Sequence, residues 1–210
     1  MERRAIMVSP KGVAKYPRLL EPDTKFNKDG EYRVRLLFAA DDATTKEFCA
    51  ALDELSKAAY EEQQTALKPA KAKTLELYVP YKNEIDPETG EETGNIEVNF
   101  KTGAQYKDKD GNIIEKTIPL FDAAGKKIER KINIGSGSVL RVSFTPVSFY
   151  AANGNSAGVS LRLNAVQVIQ LKEWKGATAE GYGFGKEDGY LEEEASKAED
   201  TSFDPEGGDF

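Results

Sequence analysis

The chain has no histidine and a single cysteine, Cys49. Without histidine, Ser-His and Cys-His nucleophile pairs cannot be built, and His-containing zinc sites are excluded. One cysteine permits neither an intrachain disulfide nor a thiolate zinc cage, which fits a reducing compartment. No apolar run is long enough to span a bilayer. Arg3 and Arg4 near the start are not followed by the apolar stretch of a signal peptide. Carboxylate-metal catalysis survives these exclusions. The Asp and Glu residues, however, fall mostly in turns, one helix and the C-terminal segment, without a catalytic spacing. The expectation is therefore a binding protein rather than an enzyme, with no cofactor and no metal.

The 210 residues, 39% of them hydrophobic, suffice for one domain of ordinary size plus extensions. The net charge of -7 is unevenly divided. Residues 187–210 hold ten acidic residues against one basic residue, Lys197, a charge of -9; the remainder carries 28 basic and 26 acidic residues, or +2. Few aliphatic residues and no alternation predict that this acidic segment stays disordered. The glycine-rich joint at residues 181–185 sets the expected boundary, a folded domain over 1–180 and a flexible tail over 181–210. The tail ends in Asp209-Phe210, which offers a ring and a neighbouring carboxylate to a pocket with a basic rim. A purely solubilising tail is the plainer alternative.

Periodicity places a first strand at residues 3–8, after which Pro10, Gly12, Pro17 and Pro22 are expected to break regular structure up to Gly30. Tyr32, Val34, Leu36 and Phe38 alternate with Arg33 and Arg35, as in a half-buried strand whose basic face is open to phosphate or to solvent. Thr44-Thr45-Lys46-Glu47 has the form of a capping box. Phe48, Leu52, Leu55 and Ala59 then recur at helical spacing, with an end near Leu67. Further strands are expected at 96–106, 113–118 and 126–134, with a long loop before them over residues 82–95 and turns at Asp110-Gly111-Asn112 and Asp122–Gly125. The clearest hairpin pairs residues 139–150 with a strand in which Val159, Leu161, Leu163, Ala165, Gln167, Ile169 and Leu171 share a face. Several strands, one inserted helix and a terminal hairpin describe a small β-barrel such as an OB-fold, and equally several β-sandwiches.

Asp108, Asp110 and Asn112 do not have the spacing of a calcium loop and read as a hairpin turn. Residues 181–185 are not a dinucleotide fingerprint, since no strand precedes them closely and no helix follows. What remains is a mixture of rings and cations. Lys101 follows Phe100, Lys107 follows Tyr106, and Arg141 lies on the strand leading to Phe149-Tyr150. Tyr78 and Tyr81 flank Pro80, with Lys82 next. Single-stranded nucleic acid needs this mixture: rings hold base faces without reading sequence, and cations follow the phosphates. Core packing is the competing explanation for many of these rings.

The order of certain residues resembles the phage replication single-stranded DNA-binding proteins of short-tailed coliphages. The likeness lies in Met1-x-Arg3-Arg4, Tyr16, Pro22-Asp23, Gly30-x-Tyr32-Arg33-Val34, Phe100-Lys101 with Tyr106 and Asp108, Gly125-Lys126-Lys127, residues 134–138, the terminal hairpin and the final Gly-Asp-Phe. The resemblance implies a mainly β OB-fold, a Greek-key five-stranded barrel with an inserted helix. It implies sequence-independent coating and protection of single-stranded DNA in replication, recombination and repair. It further implies a tail that covers the DNA groove when DNA is absent and contacts the phage DNA polymerase and helicase-primase. Arg3, Lys101, Phe149 and Phe210 take the places of the family's basic, stacking and terminal positions. Where the family has a tryptophan after the stacking ring, this chain has Ala151 and Ala152, with Tyr150 available as a substitute. The expected DNA-binding set is Arg3, Arg33, Arg35, Tyr78, Tyr81, Lys101, Tyr106, Lys107, Arg141, Phe149 and Tyr150, with Asp209 and Phe210 for partners. The expected setting is the cytoplasm of the infected bacterial host, with no membrane association and a homodimer left open. The alternative is a phage accessory protein-interaction module.

Overall fold

The computed structural model describes residues 5–25, 27–174 and 183–188. The chain separates into two compact units, Met1–Trp174 and Lys175–Phe210, and the architecture that follows belongs to the first. Its strands are β1 (Met7–Val8), β2 (Gly12–Asp23), β3 (Glu31–Ala39), β4 (Glu76–Tyr78), β5 (Tyr81–Ile85), β6 (Glu92–Gly103), β7 (Gln105–Lys107), β8 (Ile113–Glu115), β9 (Leu120–Phe121), β10 (Val139–Ala151) and β11 (Ser156–Gln170); α1 (Ala43–Ala66) and α2 (Pro69–Ala72) follow β3.

Pairings run round a circuit β2–β3–β6–β11–β10 and back to β2. Four of the junctions are antiparallel, while β6 and β11 run parallel at Leu161↔Phe100 and Arg162↔Lys101. Val13 is shared, facing Leu37 on one edge and Val139 on the other. The inner faces meet through Val34, Leu36, Phe38, Val98, Phe100, Leu140, Val142 and Phe144, all buried. Helix α1 lays Phe48, Leu52 and Ala59 against this core. Its Phe48 ring stands edge-on to Phe38 at 5.8 Å and to Phe144 at 6.0 Å.

Several expectations need correction. Residues 12–23 form a strand despite their prolines. The ladder to β3 records partners at Val13, Ala14, Lys15, Arg18 and Asp23 but skips Pro17 and Pro22, so neither ring removes a needed donor. Tyr16, at φ 50°, supplies the kink that makes room for them. The helix N-cap is Asp42, whose carboxylate accepts from the Thr45 amide at 2.9 Å. The expected Thr44 box is displaced because Asp42 is the stronger acceptor at the positive helix end. The supposed long loop is the hairpin β5–β6, turned at Asp86–Gly90. Residues 126–134 make no strand and contribute only isolated bridges at Lys127 and Ile134. Of the expected first strand, Met7–Val8 pair, Ala5 and Ile6 do not, and Arg3 and Arg4 lie outside the described residues.

The expected parity of β11 also fails halfway. Leu163 faces Phe144 and Ala165 faces Ser143, which leaves Asn164 as an extra residue in a bulge. Beyond it Val166 and Val168 turn inward instead of Ala165, Gln167 and Ile169. The Asn164 side-chain amide donates to Thr145 Oγ1 at 2.9 Å and holds that bulge.

Candidate nucleic-acid interface

Inner residues of each barrel strand fill the core, so their neighbours must face outward. Arg18 lies opposite Arg33, Arg33 opposite Lys101, and Lys101 beside Arg162. Their strand neighbours Leu19, Tyr32, Val34, Phe100, Thr102, Leu161 and Leu163 are buried, so all four cations point out of the barrel. They form one line across four strands, about 14 Å long at ordinary strand spacing.

Like charges in register across a sheet repel. Two carboxylates offset the row: Asp23 pairs with Arg33, and Glu31 with Lys101 at 3.2 Å. The Lys25 amide, and then the charges of Arg33 and Arg18, hold the Asp23 carboxyl below its ordinary value. Among the described residues, Arg18 and Arg162 make no salt bridge. Lys116 adds a fifth cation at the Arg162 end. Its ammonium donates to Thr102 Oγ1 at 2.9 Å. Burial, and then Arg162, push its pKa down.

The adjoining part of the same face is neutralised. Glu97, only 6% exposed, stands 3.4 Å from Arg35, 3.5 Å from Lys82 and 3.7 Å from Lys15. Lys15 also donates to Glu84 at 2.6 Å. That hydrogen bond raises the Lys15 pKa and, with the Asn95 and Thr93 side chains, lowers that of Glu84. These charges clamp β5 and β6 to β2 and β3.

A ring pair forms at the tip of the terminal hairpin. Phe149 lies opposite Gly158, and Gly158 beside Tyr78 of β4. The two rings meet edge-to-face over the glycine, with centroids 5.1 Å apart. A Cβ on Gly158 would run into the Tyr78 carbonyl, so only glycine lets β4 approach. Tyr78 remains 44% exposed and Phe149 half-buried. Tyr150, on the other face, donates to Asn155 Oδ1 at 3.0 Å. Asn155 in turn donates to the Lys71 carbonyl and to Thr74 Oγ1, tying the hairpin tip to the chain around α2.

The remaining expected residues separate. The Tyr81 phenol donates to Asp53 Oδ1 at 2.7 Å while its ring packs against the core, and burial followed by Asp53 pushes its pKa up. That side chain holds α1 to the barrel. Arg35 is taken up by Glu97, and Arg141 Nε donates to the Ser9 carbonyl at 3.2 Å. Tyr106 and Lys107 are exposed on the β7–β8 hairpin, outside the main sheet. In that hairpin Asp108 accepts from the Asp110 and Asn112 amides, the expected turn. Arg3, Asp209 and Phe210 lie outside the described residues.

The family described as "Single-stranded DNA-binding protein, Bacteriophage T7" matches residues 11–171. The chain belongs to that family. The single-stranded DNA-binding protein of Escherichia phage T7 is 27% identical over 179 residues, 82% of this chain and 75% of that protein. The crystal structure of gp2.5, a single-stranded DNA-binding protein encoded by bacteriophage T7, matches with a TM-score of 0.65 at 24% identity, over 90% of this chain and 99% of that one. The single-stranded DNA-binding protein from bacteriophage Enc34 in complex with ssDNA matches with a TM-score of 0.54 at 17% identity, over 81% of this chain and 89% of that one. The two structural likenesses carry the fold, an OB-type β-barrel with an inserted helix. The T7 single-stranded DNA-binding family is a family of binding proteins, in line with the expectation of a non-enzyme.

Sequence reasoning missed Arg18, Lys116 and Arg162. Arg162 was legible, since it sits between Leu161 and Leu163 on an alternating strand. Arg18 was hidden by the prolines around it. Lys116 becomes visible only once Thr102 and Arg162 are brought together in space.

Proposed function

We propose that this protein binds single-stranded DNA without sequence preference, along the row Arg18–Arg33–Lys101–Arg162 and onto the Tyr78–Phe149 ring pair. The observation that carries this is the row itself. A folded chain gains nothing from four cations in register across four strands, whereas a polyanion relieves their repulsion. In OB-folds, oligonucleotides lie on the second and third strands and on the loops joining strands one to two and four to five. Here those strands are β3 and β6, which supply Arg33 and Lys101. The loop between the last two strands is the hairpin tip beside Phe149 and Tyr150. Exposed rings hold bases for about 1–3 kcal/mol each, whatever the base. Tyr106 and Lys107 extend the basic and aromatic surface, and Arg3 adds a cation from the N-terminus.

The acidic segment is assigned a second role. Its charge of -9 against +2 for the rest makes it an internal competitor for the same cations. A tether gives such a competitor a millimolar-scale effective concentration. DNA displaces it, and the freed end, through Asp209 and Phe210, recruits the phage DNA polymerase and helicase-primase. This work takes place in the cytoplasm of the infected host, in replication, recombination and repair. Filter binding of labelled poly-dT tests the core of the reading. The parent should retain the oligonucleotide, Phe149→Ala should bind more weakly with the same salt slope, and Lys101→Ala should show a flatter slope. A parent that fails to retain single strands at low salt refutes it.

A further inference from the structure

Beyond the row, β2 borders a groove of about 530 Å³ lined by Tyr16, Arg18, Leu20, Lys131 and Trp174. Glu21 is the lining's one carboxylate among the described residues. The two rings are among the most exposed of the described residues, Tyr16 at 64% and Trp174 at 61%. Both are held outward by backbone. Tyr16 sits at φ 50°, a left-handed conformation that non-glycine residues adopt at a cost. Its amide is fixed by Ser136 Oγ at 3.0 Å. The Trp174 amide donates to the Asn133 carbonyl at 2.9 Å, and the Asn133 side chain returns a hydrogen bond to the Trp174 carbonyl at 2.9 Å. Gly135 permits this approach, because a Cβ there would press on the Lys172 carbonyl and the Trp174 amide. Neither ring is doing packing work that would explain a rigid backbone presenting it to solvent.

The groove shares Arg18 with the cation row, so the two surfaces are continuous. Arg18 and Lys131 offer phosphate contacts in a groove that Tyr16 and Trp174 also line. We propose that this groove is a second stacking site, in which single-stranded DNA leaving the cation row at Arg18 lays further bases against Tyr16 and Trp174. The inference rests on the single-stranded DNA reading above. It adds that the footprint continues round β2, on the side away from the Tyr78–Phe149 pair along the row.

Trp174 is the chain's only tryptophan, so its emission reports on this groove alone. The full chain is titrated with oligo-dT, following tryptophan emission and, in parallel, the anisotropy of an end-labelled oligonucleotide. Emission should quench with the same midpoint as the anisotropy. Tyr16→Gly should lower affinity about 5-fold or more. Glycine suits φ 50°, so that loss cannot be laid to misfolding. Trp174→Phe should keep most of the affinity and Trp174→Ala should lower it about 5-fold or more. If the oligonucleotide binds while emission stays constant and Tyr16→Gly binds like the parent, the groove lies off the DNA path and only this inference falls. If Tyr16→Gly binds more tightly, the groove holds a competitor such as the acidic segment, which also overturns it. Absence of any anisotropy change in the parent overturns the single-stranded DNA reading itself.

Discussion

Arg18→Gln combined with Arg162→Gln isolates the electrostatic part of the interface. These two residues make no salt bridge among the described residues, so their loss strands no carboxylate. For single strands, each phosphate neutralised contributes a slope of about 0.7 in log affinity against log salt. Removing two contacts should flatten the slope by about 1.4. Between about 50 and 200 mM salt, the parent's advantage over the variant should then shrink about 7-fold. The same change should not weaken the fold. Removing both ends of the row eliminates the like-charged pairs Arg18↔Arg33 and Lys101↔Arg162, whose repulsion opposes the fold. The double variant should therefore match or exceed the parent in urea at low salt while binding poly-dT more weakly. Lys57→Gln, on the exposed face of α1, serves as the control and should leave the slope unchanged. The measurement is a filter-binding or anisotropy titration across salt, on the full chain and on residues 1–186. A double variant with the parent's slope in both forms refutes the assignment of the row. A variant that loses stability and binding together refutes the argument that the row is kept at the expense of the fold.

Four further outcomes follow from named contacts. Gly158→Ala should force β4 away from β11, since its Cβ would meet the Tyr78 carbonyl; poly-dT affinity and urea stability should both fall, and parental values in both would remove Gly158 from the argument. Glu97→Gln should release Arg35, Lys82 and Lys15 from their shared carboxylate, tightening DNA binding at low salt while lowering stability; unchanged affinity would mean the neutralised half of the face lies off the DNA path. Glu84 has a lowered folded-state pKa, so its contribution is present above the ordinary glutamate value of about 4.3 and is lost as pH falls through the lower folded value; parent and Glu84→Gln should differ in urea stability at pH 7 and converge as the pH falls through that value, and a constant difference would contradict the ion pair's role. Removing residues 187–210 should tighten poly-dT binding, most at low salt, and an unchanged or weaker affinity would reject the competitor.

Strand interiors were legible because burial on a strand is a local matter of parity. Tyr32, Val34, Leu36 and Phe38 are buried as their alternation demands, and so are Leu140, Val142 and Phe144. Helix α1 was legible from Phe48, Leu52 and Ala59 for the same reason at a different period. What failed was whatever depends on an irregularity. Parity reasoning carried the inward face of β11 through Ala165, whereas the bulge at Asn164 moved it to Val166. Proline counting dissolved β2, whereas the ladder uses only positions where proline is absent. Among the candidate DNA ligands, Lys101, Tyr78 and Phe149 stand at the proposed interface, whereas the polar groups of Arg35, Arg141 and Tyr81 are engaged by Glu97, the Ser9 carbonyl and Asp53. A sequence shows that a residue is cationic or aromatic; whether its charge is already answered is a property of register.

Register also explains why the kink at Tyr16 is worth its strain. Lys15 faces Arg35, and the next recorded partner of β3 is Arg33, which faces Arg18. Three residues of β2 are thus matched to two of β3. In a regular ladder Pro17 would stand opposite Arg33, and Arg18 would turn toward the opposite face of the sheet. The extra residue brings Arg18 outward into line with Arg33, Lys101 and Arg162, and the same left-handed turn throws the Tyr16 ring into solvent beside Trp174. One local irregularity therefore sets both the end of the cation row and the start of the aromatic groove. Deleting Tyr16 takes away the extra residue, so Arg18 stays opposite Arg33 while the ring is lost. Replacing it with glycine should keep the kink and the row and lose only the ring. The salt slope should hold in both variants while affinity falls, and a flattened slope in either would refute this account of Arg18's place in the row.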